Sequence, residues 1–213
     1  MVQDLKIAEK AATYLLNIEA VKLNVRDPFH WASGWESPIY CDNRLTLSYP
    51  HIRKFIKNSL ASLIGKIFKD AEGIAGVATA GIPQGALVAD KLNLPFIYVR
   101  SKAKEHGLEN QIEGKAEEGM KVVVVEDLIS TGGSSLKVVD TLRANQVEVA
   151  GMVSIFTYGF KQADDNFKSK KVKYYSLCDY ASLIKKAAEL GYVTKDQMIL
   201  LKSWRTDPAN WHP

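Results

Sequence analysis

Cysteine is scarce in this chain: of 213 residues, only Cys41 and Cys178 carry thiols. No partner pattern accompanies them, which excludes a disulfide framework or a cysteine-built metal site and leaves two reduced thiols. Nowhere do about 18 apolar residues run together, so no membrane-spanning helix is expected. The opening MVQDLKIAEKAATYLL carries acids and lacks the continuous apolar stretch of a signal peptide. A soluble cytoplasmic protein is the expectation. Internal repeats, low-complexity tracts and the GxGxxG fingerprint are absent, and no Lys directly follows a glycine loop as a Walker motif requires. Charge of one sign is also thin. The net value is +4, and the lysines are scattered except for Lys168, Lys170, Lys171 and Lys173, which read as an exposed loop, not a nucleic-acid contact. What remains, 46% hydrophobic and 24% charged residues, is globular, and the length fits one domain over residues 1–213.

The run KVVVVEDLISTGGSSL at 121–136 carries most of the information. Four consecutive β-branched residues, Val122 to Val125, leave no polar side for water and predict a strand buried on both faces. Glu126 and Asp127 stand at its carboxyl end. Ionised carboxylates only accept hydrogen bonds, so a neighbouring pair suits the vicinal hydroxyls of a sugar. Ser130, Thr131, Gly132, Gly133 and Ser134 follow, small residues that let successive backbone N–H groups turn toward one anion. Leu136, Val139 and Leu142 then recur at helical spacing, so the turn opens a helix whose positive end adds to the attraction. Such an order describes a phosphate and ribose cradle. The plain alternative is a tight strand-to-helix connection with solvated acids.

Along the chain, Leu5, Ala8, Ala12, Leu15 and Leu16 predict an amphipathic helix over 4–23, followed by a Trp-, Gly- and Pro-containing loop, FHWASGWESPIYCDNR, at 29–44. Ser48 and Pro50 mark a helix reaching about Phe68. Strands are predicted at 74–78, 96–99, 122–125, 147–156 and 174–177. Helices are predicted at 84–92, 134–145, 179–190 and 195–204, with Trp204 and Trp211 as packing anchors. This alternation predicts an α/β fold with a mostly parallel sheet flanked by helices. In such a sheet, ligands sit beyond the carboxyl ends of the strands. Four segments leave those ends with unusual chemistry: ATAGIPQG at 78–85, RSKAKEHG at 100–107, EDLISTGGS at 126–134 and TYGF at 157–160. The first lets backbone amides approach an anion. The second opens a polar stretch, 100–119, without helical or alternating periodicity, as active-site lids have. Arg100, Lys102, Lys104 and His106 place several cations there, suited to charge developing on a departing anion. His106 also titrates near neutrality and can donate a proton.

The EDLISTGGS run resembles the signature of the type I phosphoribosyltransferases, which bind phosphoribosyl diphosphate (PRPP). With R.KAKEHG, NQIEGKAEEG and the early SG..SP.Y.D.R, the chain is similar, over roughly residues 29–160, to the orotate phosphoribosyltransferase branch of that family. The resemblance implies a type I core with a small N-terminal hood (1–48) and a flexible active-site lid (100–119), and transfer of the phosphoribosyl group from PRPP to orotate. It implies that Glu126 and Asp127 hold the ribose. Leu128, Ile129, Ser130, Thr131, Gly132, Gly133 and Ser134 form the 5′-phosphate loop, and Thr79, Ala80 and Gly81 face the diphosphate. Arg100, Lys102, Lys104 and His106 are the corresponding lid residues, with Lys104 the catalytic cation beside His106 and Asp127. Ser33, Gly34, Ser37, Pro38 and Tyr40 match the hood loop over the base, and Ser130 and Tyr40 touch orotate. It further implies Mg²⁺ bound mainly through PRPP and a homodimer whose lids act across the interface.

The chain departs from the family pattern in three places. Ala32 and Ser101 stand where some members have Lys, and Thr157, Tyr158 and Gly159 stand where some have an Arg for the orotate carboxylate. Two alternatives remain at this point: a purine or xanthine phosphoribosyltransferase, and a regulatory relative that binds nucleic acid on the same fold.

Overall fold

The structure, a computed structural model, describes residues 2–31, 34–100 and 111–212. Helix α1 (Leu5–Asn17) starts at Asp4, whose carboxylate accepts from the N–H groups of Lys6 and Ile7, and it buries Ala8, Ala11, Ala12, Leu15 and Leu16. The predicted helix over 4–23 ends early. Glu19 takes a left-handed φ of 55°, and Val21–Leu23 becomes strand β1. The expected loop at 29–44 also has structure: β2 (Phe29–His30) pairs antiparallel with β3 (Glu36–Ser37), and β4 (Ile39–Cys41) pairs antiparallel with β1. A 3-10 helix, Asn43–Ser48, leads into α2 (Pro50–Ile67), with Pro50 at its start where a missing N–H costs nothing.

From there strands and helices alternate: β5 (Gly73–Val77), α3 (Gly81–Leu92), β6 (Phe96–Val99), β7 (Ile112–Glu113), β8 (Lys121–Ile129), α4 (Gly133–Ala144) and β9 (Glu148–Thr157). The chain continues through α5 (Lys161–Ser169), β10 (Tyr174–Asp179), α6 (Tyr180–Glu189) and α7 (Lys195–Thr206). The six-stranded sheet has the order β10-β9-β8-β5-β6-β7. Its neighbours are parallel except β6 and β7. The mostly parallel α/β sheet expected from the alternation is therefore present. Its β8 valines alternate as a doubly buried strand must: Val123 and Val125 enter the core beneath α1, α2 and α6, while Val122 and Val124 enter the core beneath α4 and α5.

Two details correct the sequence reading. The stretch 100–119 is not wholly irregular, because Gln111 accepts from the Arg100 N–H at 2.9 Å and β7 adds a short antiparallel edge to β6. The Lys168–Lys173 cluster is not a loop throughout. Lys168 closes α5, a helix that periodicity had not indicated, and Lys170 is ion-paired to Asp140 of α4 at 2.8 Å.

The crossover from β5 through α3 leads to β6, whereas that from β8 through α4 leads to β9, on the opposite side. Since β5 and β8 are neighbours, the order reverses between them, and a crevice opens beyond their carboxyl ends. Here α3 presses against β8 so closely that a Cβ on Gly81 would lie 2.4 Å from the Val125 carbonyl oxygen.

At the other end of the chain, α7 places Trp204 at 0% exposure, with its indole N–H donating to the Glu36 carbonyl at 3.0 Å and its ring against Trp31, Tyr158 and Tyr180. Trp204 thus ties the N-terminal hairpin to the end of β9. Trp204→Ala should destabilise the protein by about 3–5 kcal/mol, because it leaves a large cavity and removes the donor to the partly buried Glu36 carbonyl. Urea unfolding followed by far-UV circular dichroism measures this; a loss below about 1 kcal/mol would deny the anchor role.

Candidate active site

Glu126 directly follows β8's four valines and keeps the alternation, so its carboxyl is carried inward to 6% exposure. It is held on two sides. One oxygen accepts from the Asp127 N–H at 3.0 Å, and the other accepts from the Ser135 hydroxyl at 3.2 Å in the first turn of α4. Asp127, half-buried, has its carbonyl gripped by the Asn43 side-chain amide at 2.7 Å. Asn43 belongs to a buried polar chain. Its carbonyl accepts from Thr46 Oγ1 at 2.6 Å, and Thr46 Oγ1 accepts from Gln84 Nε2 of α3 at 3.2 Å. The acid is thereby connected to both the N-terminal segment and the helix after β5.

Burial, and then the charge of Asp127, push the Glu126 carboxyl well above the usual carboxylate range; burial raises Asp127 as well. Arg44 lies within reach of Asp127, but its guanidinium is committed to Asp42 by contacts of 2.6 and 2.9 Å. The pair thus awaits hydroxyl donors or a cation.

Beyond the acids, β8 runs on through Leu128 and Ile129, both within the strand, before the turn at Ser130–Gly132. Gly132, at φ 81°, caps α4, and a Cβ there would meet the Phe167 ring at 2.6 Å. Gly132 is thus fixed by geometry and packing, whereas a Cβ on Gly133 would meet only the Thr131 hydroxyl, at 3.9 Å. The first-turn N–H groups of α4 have no intrahelical acceptors, and Gly133 and Ser134 are exposed. An anion can be attracted to a helix start of this kind. Asn166, on the unexpected α5, steadies it by donating to the Thr131 carbonyl at 2.9 Å.

Across the crevice, Thr79 is exposed, Ala80 half-buried and Gly81 buried at the head of α3. Arg100 forms an ion pair with Glu113 at 3.6 Å, at the root of the 100–119 stretch. Lys102, Lys104, His106 and Ser101, with Ala32 and Ser33, lie outside the described residues.

Beside the acids lies a cavity of about 470 Å³. Its N-terminal wall is His30, Trp31, Trp35, Tyr40 and Cys41; its sheet wall is Leu128, Ser130, Thr131, Tyr158 and Gln162. Tyr40 and Ser130, expected at a base, do share this space. Burial, with Asp127 next in effect, drives the Cys41 thiol up and keeps it protonated. Sequence reasoning missed Asn43, Trp31, Trp35 and Gln162 as contributors. The hood loop's density of Trp and Tyr was the available signal, but nothing in the sequence marks Asn43 or Asn166 as supports.

Among known proteins, the model of the phosphoribosyl transferase domain matches residues 47–192. An orotate phosphoribosyltransferase of Cytophaga hutchinsonii is 56% identical over 203 residues, covering 95% of this chain and 97% of that one. One from Bacteroides thetaiotaomicron is 56% identical over 200 residues, 94% of each. The crystal structure of orotate phosphoribosyltransferase from Aeropyrum pernix superposes with a TM-score of 0.74 at 30% identity, covering 86% of this chain and 99% of that one.

The raised carboxyl of Glu126 fixes a sign. A group whose folded pKa lies above its unfolded value contributes stability at low pH, which is lost as pH rises through the folded value. Without ligand, Glu126→Gln should match the parent near pH 4.5 and melt at a higher temperature than the parent at pH 8. Scanning calorimetry across that window tests it, and a variant less stable than the parent at pH 8 would contradict the burial argument.

Proposed function

The chain belongs to the orotate phosphoribosyltransferase family, and from that premise we propose that it transfers the 5-phosphoribosyl group of PRPP to orotate, giving orotidine 5′-phosphate and diphosphate for pyrimidine (UMP) synthesis. The observation that carries this reading is the acid pair, Glu126 buried and Asp127 half-buried, standing between an amide-lined helix start and an aromatic cavity. Glu126 and Asp127 accept the ribose hydroxyls. The helix start, with the hydroxyls of Ser130, Thr131 and Ser134, takes the 5′-phosphate. Thr79, Ala80 and Gly81 face the diphosphate, and orotate lies in the cavity against Tyr40 and Ser130.

As the bond to C1 opens, positive charge grows on the ribosyl centre and negative charge on the leaving group. Asp127 sits on the side of the first, and Arg100, Lys102, Lys104 and His106 serve the second, Lys104 by charge and His106 by proton donation. The protein therefore mainly positions and screens. The donor set fits Mg²⁺, because the acid pair offers hard carboxylate oxygens. Held chiefly by diphosphate and ribose oxygens, the ion would neutralise the leaving group.

We read residues 1–213 as one domain, with 1–48 as the hood and 100–119 as the lid. The proposed assembly is a cytoplasmic homodimer whose lids cross between subunits, an arrangement supported by the family resemblance of the lid sequence. Among the described residues no helix is long and apolar enough to cross a membrane.

Purified protein given PRPP, Mg²⁺ and a panel of bases should consume orotate; consumption of a purine instead, or of no base together with salt-sensitive RNA binding, would overturn the reading. Lys104→Ala should lower turnover on the order of 100-fold or more while PRPP still binds. Unaltered turnover would remove Lys104 from the chemistry. Mixing Lys104→Ala with Asp127→Asn subunits should restore part of the activity, and no recovery in verified mixed dimers would place each lid in its own subunit's site.

A further inference from the structure

Orotate carries a carboxylate on the ring carbon next to its reacting nitrogen. A carboxylate taken into a cavity needs hydrogen-bond donors, and an unpaired one is costly. Among the described residues lining the cavity there is no lysine or arginine, and His30 is exposed. Two neutral donors are already committed: the Trp31 indole N–H donates to the Ile39 carbonyl at 3.2 Å, and the Cys41 thiol to Asn43 Oδ1 at 3.2 Å.

Tyr158 differs from them. It is 2% exposed and lines the cavity, yet its hydroxyl bonds to none of the described residues, whose hydrogen bonds to Tyr158 all involve its backbone. Its ring packs on Trp31 of the N-terminal wall, and its hydroxyl interacts electrostatically with Cys41, Tyr180, Asp127 and Tyr40. The base joins the ribose through the nitrogen adjoining the carboxylate-bearing carbon. Its carboxylate therefore lies at the ribose-proximal edge, on the side of the acid pair.

The side chain is also held in place. Its ring stacks on Phe160 at 5.4 Å and packs against Trp31 at 5.0 Å. Its N–H donates to the Ile129 carbonyl at 3.1 Å, and Arg205 of α7 grips the carbonyls of Tyr158 at 3.2 Å and Gly159 at 2.7 Å. A donor fixed before binding loses little freedom on meeting its acceptor.

We propose that Tyr158 is a specificity-determining residue that donates its phenolic hydrogen to the carboxylate of orotate and so selects this base over pyrimidines that lack one. The inference rests on the substrate reading above. Burial holds the phenol's pKa up, so the group is a donor throughout the physiological range. A neutral donor also tolerates the neighbouring Asp127 without forming a competing ion pair with it.

Calorimetric titration of the protein and of Tyr158→Phe with orotidine 5′-phosphate and with uridine 5′-phosphate, which lacks only the carboxylate, tests the assignment. The variant should bind orotidine 5′-phosphate about 10- to 100-fold more weakly, the range for a hydrogen bond to a charged group, and uridine 5′-phosphate almost unchanged. The KM for PRPP should stay near the parent's. Equal weakening of both nucleotides would make the hydroxyl structural, and no weakening of either would remove it from recognition. Should Tyr158→Phe fail to fold, the parent protein carries the test: it must bind orotidine 5′-phosphate at least about tenfold tighter than uridine 5′-phosphate, and parity overturns the proposal. Orotate turnover by the parent is measured separately, so a failure of the substrate reading is seen there and not in the nucleotide comparison.

Discussion

Setting two carboxylates side by side at the end of a strand buried on both faces opposes folding, because each is removed from water and each repels the other's charge. The protein keeps Glu126 and Asp127 there with neutral supports: an N–H, a serine hydroxyl and the Asn43 amide on the adjoining carbonyl. The nearby guanidinium of Arg44 is committed to Asp42. A counter-cation locked onto the pair would have eased folding at the expense of the site. The unsettled acids retain the capacity to accept hydroxyls, and the rest of the architecture can be understood as holding them in that state.

The sheet order supplies the location. Because α3 and α4 leave β5 and β8 in opposite directions, two helix starts and two strand ends converge on one crevice. The contact of Gly81 with the Val125 carbonyl and of Gly132 with Phe167 sets how closely the two turns approach. Around this core the aromatic cluster of Trp31, Trp204, Tyr158 and Phe160 fastens the N-terminal hairpin and the last helix to the end of β9. The same packing that stabilises the chain's two ends therefore builds the wall of the cavity.

Much of this was legible in the sequence because it rests on local chemistry. Valine repetition marked β8, and the acids, small residues and helical spacing that follow it marked the cradle. Less visible were features that depend on tertiary contact. The end of α1 turns on a single left-handed residue, Glu19, that no pattern announces. The short hood strands are too brief for periodicity. Helix α5 carries a weak apolar stripe, Ala163 and Phe167, and shows its purpose only where Phe167 meets Gly132 and Asn166 meets Thr131. Tyr158 stood out as a departure from the family pattern, but only its burial in the cavity wall and its hydroxyl, bonded to none of the described residues, suggest what it does.

The most direct measurement is a crystal structure of the protein with PRPP bound. The account predicts the ribose hydroxyls within hydrogen-bonding distance of the Glu126 and Asp127 carboxylates and the 5′-phosphate on the N–H groups that open α4. PRPP seated elsewhere, or seated with its ribose turned away from the two acids, would contradict it.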